Sequence, residues 1–267
     1  MRTLWFKVLF DAMEKYFVPN GSIVRTIWGR SDTVLLVFAG SAAEFALNTS
    51  VDWLYYTGRL PADPIGRLFS TVRYAQAIIY SPLDRALGAI DQITAIHGAV
   101  EKSRGARIPD SAYRDVLFML IDYTIRSFEL LERRLTEEEK EEIFDVFYGV
   151  GSRMGLKGLP ESYPAWELMR RDHLEKNLAN TELTKDLYRR YRKSLGSMRY
   201  AILLGGQSLL VPAKVQRLLS LSPAWWMRAV VFIYRLTRLV GLDRVAKAIV
   251  LPRAYKAQVA ALDRATL

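Results

Sequence analysis

The stretch DPIGRLFSTVRYAQAIIYSPLDRALGAIDQITAIHGAVEKSRG, residues 63–105, decides how the chain is read. Asp63 followed by Pro64 supplies an N-cap side chain and a proline whose fixed φ and missing N–H suit the first helical position. The device recurs at Ser81-Pro82, and Gly105 offers the left-handed residue that closes a helix. Two consecutive helices are expected, one from about Pro64 to Tyr80 and one from Ser81-Pro82 to about Arg104. In the first, Arg67 and Thr71 stand four apart on one face, which Tyr74 and Ile78 continue. In the second, Leu83, Leu87, Ile90, Thr94 and His97 fall at steps of 4, 3, 4 and 3, which places His97 on the stripe facing the core.

The same punctuation runs through the rest of the chain. Pro109, Asp110 and Ser111 open a third helix reaching about Leu135, and Thr136-x-x-Glu139 is a capping box for a fourth that ends near Gly155 to Gly158. Pro160 to Pro164 lead into a helix through His173, another covers 184–204, and Ser222-Pro223 opens a tryptophan-bearing helix that Gly241 ends. The apolar run VLLVFAGSAAEFAL, residues 34–47, contains Glu44 and is too short to cross a bilayer, so it reads as a buried helix. No β-branched runs alternate with hairpin turns. The expected fold is all-α, a single-domain helical bundle over 1–267: an amphipathic segment at 1–30, a core at 31–178, and basic, aromatic helices at 179–267.

With 267 residues, 51% of them hydrophobic, the chain is able to bury a large core. It has no cysteine and two histidines. That excludes disulfides, cysteine-ligated zinc, iron–sulfur clusters and thiol nucleophiles, and leaves too few soft or imidazole ligands for a multi-ligand transition-metal site. Any such metal has to arrive inside a cofactor that needs one protein bond. No phosphate-binding glycine loop, Ser-His-Asp order or H-E-x-x-H is present.

Charge is uneven. The net charge is +10, yet residues 184–267 carry 16 Lys and Arg against 3 Asp and Glu. Partners of that end should be anionic. Its arginines Arg228, Arg235 and Arg238 are interleaved with Trp225, Trp226, Met227, Val230, Val231, Phe232 and Ile233. This pattern suits a core helix or one lying at a membrane surface, and nucleic acid is not expected as a partner. Residues 1–18 mix apolar side chains with Lys7, Asp11, Glu14 and Lys15, unlike a signal peptide. The expected location is cytoplasmic with peripheral membrane contact and no transmembrane span.

Because so short a joint separates the helices, Arg67, Thr71 and His97 are expected to face one cavity. A guanidinium there suits a buried anion such as a propionate, a hydroxyl is able to hydrogen-bond a bound oxygen species, and a neutral imidazole is able to bind iron axially. The plainer reading also stands: a lone histidine on an apolar face is more often a core residue bonded to a carbonyl or carboxylate. His173, flanked by charges in MRRDHLEKN, reads as a solvated helix-face residue. Asp52-Trp53, Tyr55-Tyr56 and Tyr74 read either as packing or as pocket lining.

The order of several segments resembles one known family. FAGSAAEFALNTSVDWLYYTGRLPADPIGRLFST (38–71) is similar to its glycine-containing apolar helix followed by D-P-x-x-R-L-x-x-T, and IHGAVEKSRG (96–105) to its I-H-x-x-V-x-G. ELLERRLTEEE (129–139) and GLPESYPAW (158–166) resemble its E-R-F-x-x-x-L-[ST]-x-x-E and L-P-x-[ST] segments. The family is that of the haem-dependent oxygenases that includes latex-clearing protein, a rubber oxygenase, and the MpaB oxygenase of mycophenolic acid biosynthesis. The resemblance implies a globin-like helical core, haem b as cofactor, His97 as axial iron ligand, and Arg67 and Thr71 beside the haem as catalytic and cofactor-binding groups. It implies dioxygen-dependent cleavage of carbon–carbon double bonds in isoprenoid chains. Departures are visible. Leu120 stands where many members have a second histidine, Ser70 where the rubber oxygenase has a lysine, and Asp52 and Glu44 are the nearest candidates for its upstream carboxylate. A smaller terpenoid or lipid-like substrate is therefore expected. The alternative is a non-catalytic helical protein that holds an apolar ligand or an anionic membrane through its basic C-terminal third.

Overall fold

The structure, a computed structural model, describes residues 15–56 and 62–239 with Gly241 and Asp263, apart from the side chains of Leu54, Pro64, Ile65, Arg67, Leu68 and Leu239. Among these residues every regular element is an α-helix. They are α1 (Ile23–Trp28), α2 (Ser31–Phe45), α3 (Asp52–Tyr56), α4 (Pro64–Tyr80), α5 (Leu83–Arg104), α6 (Asp110–Leu131), α7 (Glu137–Arg153), α8 (Tyr163–Lys176), α9 (Glu182–Leu210), α10 (Ala213–Leu218) and α11 (Trp225–Leu239).

The boundaries follow from the caps. The Asp63 side chain accepts the Gly66 N–H at 2.8 Å, and Pro64 occupies the first helical position of α4. Gly105 closes α5 at φ 70°, a conformation that costs a residue without Cβ little. Thr136 and Glu139 form the expected reciprocal capping box of α7. The third helix stops at Leu131 rather than Leu135, because the backbone turns at Glu132 and the Glu129 carboxylate takes the Leu135 N–H at 3.1 Å. Gly196, at φ 75°, breaks α9 into two helical pieces, so the C-terminal piece points in a new direction and continues to Leu210. Three short helices, α1, α3 and α10, are additional to those expected; five or six residues carry too little periodicity to be read.

Helices α2 and α6 form the centre. Gly40 of α2 lies flat against the Tyr123 ring of α6, where an added Cβ would overlap the ring atoms. Around this contact Trp28, Val37, Phe38, Phe118, Ile121, Ile143 and Phe144 form a continuous apolar cluster. Gly205 of α9 allows an equally close approach by Met227 and Trp226 of α11.

Through this core runs a buried ionic network. Arg170 of α8 is 4% exposed and grips two carboxylates: Glu44 through Nη1 and, at 2.6 Å, Nη2, and Asp122 through Nη2 at 2.9 Å and Nε at 3.2 Å. The Tyr123 hydroxyl donates to Glu44 at 2.9 Å. Burial alone pulls the Arg170 pKa down, but the charges of Glu44 and Asp122 outweigh it and leave the guanidinium above its ordinary range. Glu44 is thereby committed to tying α2, α6 and α8 together.

His173 corrects the expectation of a solvated ring. It is buried against Phe118, with ring centroids 5.1 Å apart, and its Nδ1 pairs with Asp115. Asp115 also accepts the side-chain amides of Asn48 at 2.7 Å and Asn177 at 2.9 Å. Charged neighbours on both sides of His173 suggested exposure, but one face of α8 turns inward, and its turn carries Arg170 and His173 together into the core.

Candidate functional site

A cavity of about 630 Å³ runs between α2, α4, α5, α6, α7, α9 and α11. This is the size range of small-molecule and cofactor pockets, about 300–1,000 Å³. Its wall is built from Leu, Ile, Val, Phe, Met and Ala side chains, broken by a few polar groups, among them Ser41, Thr71, Tyr74, His97 and Tyr113. Among the described residues that line it, none carries a carboxylate, guanidinium or ammonium, and His97 is the single imidazole. An apolar wall favours a hydrocarbon ligand by about 25 cal/mol for each Å² removed from water. It also strengthens any polar contact made inside it.

His97 reaches the cavity from α5. The inward stripe of that helix is Ala86, Ile90, Ile93, His97 and Val100, with Ala86 and Ile90 buried and the last three on the cavity wall. Thr94, expected on this stripe, is exposed, and its hydroxyl donates to the Ile90 carbonyl at 3.1 Å. The true stripe is rotated by about 60°, roughly a sixth of a turn, from the one read from spacing; the two share Ile90 and His97. The His97 ring meets the Tyr113 ring of α6 edge-on, with centroids 5.2 Å apart. Tyr113 is itself tethered, its hydroxyl donating to Glu101 at 3.2 Å, and the same carboxylate accepts the Ile108 N–H at 2.9 Å. Burial first, then the Glu101 charge, hold the Tyr113 phenol above its usual range. Tyr113 therefore acts as a neutral brace against one side of the imidazole. Nothing in the sequence near Tyr113 marked it, since its partner lies on a different helix.

Thr71 lines the same cavity and is exposed, so it stands at the rim. Thr71 and His97 are brought to one space as the sequence suggested. The Arg67 side chain lies outside the described residues; its backbone belongs to α4, one helical turn before Thr71. Leu120 lines the cavity from α6.

The two carboxylates considered as candidates do not reach the cavity wall. Glu44 is held by Arg170 as described, and Asp52 pairs with Arg104 at 2.7 Å. Arg104 lies over the Trp53 ring at 3.9 Å, and Trp53 lines the cavity. Tyr56 closes this corner by donating to the Ser103 carbonyl at 2.7 Å. Asp52, Trp53 and Tyr56 thus fasten α3 to the C-terminal end of α5.

Across residues 28–259 the chain matches the family described as "ER-bound oxygenase mpaB/B'/Rubber oxygenase, catalytic domain". No curated protein and no solved structure matches it. The family's members suggest oxygenase activity and a cofactor to support it. Haem is the group that the resemblance raised, and the residues present fit it. The cavity is apolar and of sufficient size, and its wall offers one imidazole, with a hydroxyl at the rim and no competing carboxylate among the described lining. The match covers most of the chain, which therefore belongs to the mpaB and rubber oxygenase catalytic-domain family.

Proposed function

We propose that the chain is a haem b-dependent oxygenase that oxidises or cleaves an apolar, isoprenoid or lipid-like substrate with dioxygen. One observation carries the proposal: the lone imidazole of His97 opens into a large cavity whose described lining bears no charge. His97 would hold the haem from α5 through its ring nitrogen, with Tyr113 limiting rotation of the ring. Bound haem supplies the iron that activates dioxygen. Thr71, at the rim, supplies a hydroxyl for orienting the oxygen or the substrate, and Arg67, one turn earlier on α4, is the cation expected to meet a propionate. The aliphatic wall binds the hydrocarbon and excludes water, so the substrate is positioned by shape rather than by charge. Leu120 contributes to that wall where many relatives carry a second imidazole, which leaves His97 as the single imidazole for the iron on the described lining.

The test is the absorption spectrum of the full chain produced with a haem precursor, together with pyridine-haemochrome quantification. A Soret band near one haem per chain is expected. His97→Ala should lose it with helical content unchanged, and added imidazole should restore part of it. A colourless wild-type chain, or a variant that keeps its full haem content, refutes the assignment.

A further inference from the structure

Helix α11 is a wall of the cavity on one side and an uncovered apolar surface on the other. Its inner face is firmly held. Met227 is buried and Val231 lines the cavity, Tyr234 donates to Asp32 at 2.7 Å, and Arg238 pairs with Asp32 at 3.3 Å and Glu132 at 2.5 Å. With that face spent on the protein, most of the opposite one stands exposed beside the described residues. Trp225 is 79%, Phe232 62% and Ile233 59% exposed, Val230 and Leu236 continue the patch, and Trp226 borders it with its ring edge against Gly205 of α9. At 100° per residue these side chains, with Ala229, occupy one arc of about 160° that only Thr237 interrupts, and Arg228 and Arg235 flank it on a single side.

We infer that this face of α11 docks on an anionic lipid bilayer, lying flat in its interface and holding the neighbouring wall of the cavity against the membrane. Three features select this occupant. The exposed face is flanked by Arg228 and Arg235 and carries no acidic residue, within a segment, 184–267, of 16 basic and 3 acidic residues, so the complementary surface is negative. Pairing the face with a second copy would bring two such basic segments together, a repulsion that anionic headgroups remove. Tryptophan beside Phe, Ile and Leu with an arginine flank is the composition of a helix that sinks about 5–10 Å into the headgroup boundary, and no described helix is long and apolar enough to cross. Docking follows from α11 alone. Its consequence for catalysis rests on the cavity being the substrate site: because Met227 and Val231 line that cavity, a hydrocarbon dissolved in the bilayer reaches it past α11 without passing through water.

The experiment uses the purified full chain with vesicles of phosphatidylcholine alone or mixed with phosphatidylglycerol. Cosedimentation and a blue shift of tryptophan emission are expected with the mixed vesicles, weakening as salt rises. Trp225→Ser combined with Phe232→Ser should lower the partition coefficient about 100-fold, since each exposed aromatic gains the transfer free energy of a large apolar side chain on insertion. Arg228→Gln should lower it several-fold on the mixed vesicles and leave the weak binding to phosphatidylcholine unchanged. Helical content and urea midpoint, unchanged in both variants, confirm that the fold is intact. The inference is overturned by absence of binding, by a double variant that binds as wild type does, or by a concentration-dependent dimer that the double substitution dissolves while vesicles capture nothing. Haem content is measured on the same preparations: binding lost with haem retained locates the effect on α11, whereas haem absent with binding retained strikes the oxygenase assignment and leaves this one standing.

Discussion

Replacing Arg170 by Met tests the assignment of Glu44 to the fold rather than to the chemistry. The guanidinium makes two bonds to Glu44 and two to Asp122, and it is almost wholly withdrawn from water. Methionine keeps most of the volume, so the cavity left behind is small, and the loss is dominated by two carboxylates left in the core without their cation. Removing one partner of a buried pair costs about 3–5 kcal/mol. Against a total stability of about 5–15 kcal/mol this is a large fraction. With a urea slope of about 3 kcal/mol/M, the midpoint of unfolding should fall by roughly 1–1.7 M. Glu44→Gln removes one of the stranded charges, so in the Arg170→Met background it should cost at least about 1 kcal/mol less than in the wild type. Urea titration followed by far-ultraviolet circular dichroism measures all four corners of this cycle. A midpoint shift below about 0.3 M, or a strictly additive cycle, would refute the reasoning. So would loss of haem at full helical content, because neither Arg170 nor Glu44 lines the cavity.

Gly40→Ala should destabilise by about 2–4 kcal/mol: helix propensity returns about 1, while displacing the Tyr123 ring overpacks the core and breaks its bond to Glu44. Gly98→Ala, where an added Cβ meets nothing within 4 Å, should instead gain up to about 1 kcal/mol, and urea midpoints distinguish the two. On alkaline titration, Tyr55 is pushed up to about 12 by burial and by Asp186, and burial likewise raises Tyr113, Tyr123, Tyr163, Tyr188 and Tyr191. Phenols raised in this way stabilise the fold fully below the free value of about 10, and that contribution is lost as pH climbs through their folded values. Phenolate absorbance should therefore show these six still protonated near pH 11 while helicity persists, and the urea midpoint should fall above pH 10. Titration of all 14 tyrosines near pH 10 in the folded chain would contradict their burial.

Much of the helical order was legible because the chain is punctuated by local chemistry. The Asp63-Pro64 and Thr136-Glu139 caps act within three residues of themselves, and the structure reproduces both starts. The inward placement of His97 was also legible, since a helical stripe is a local property, though the stripe lies about a sixth of a turn away, so that Ile93 and Val100 rather than Thr94 accompany His97 on the wall. What was hidden depends on residues far apart in sequence. His173 and Asp115 are 58 residues apart, and Glu44 and Arg170 are 126 apart; no window along the chain contains both members of either pair. Charged neighbours made His173 look solvated, whereas tertiary packing paired it. Tyr113 was silent for the same reason, as its importance comes from facing His97 across two helices.

Helix α5 is anchored unevenly. Over 22 residues it buries only Ala86 and Ile90, and the half that carries His97 rests on the edge of the cavity, with Ile96 37% exposed. A segment with so few buried contacts opens at far lower free energy than the α2–α6 centre, so its amides should exchange with solvent by sub-global excursions that leave the rest intact. The wall bearing the imidazole is then the least buried side of the molecule, pinned at its C-terminal end by the Arg104–Asp52 and Tyr56–Ser103 contacts. On gentle heating the chain would release whatever it holds before it melts, and two thermal events, one for the occupant and one for the scaffold, would replace a single cooperative transition.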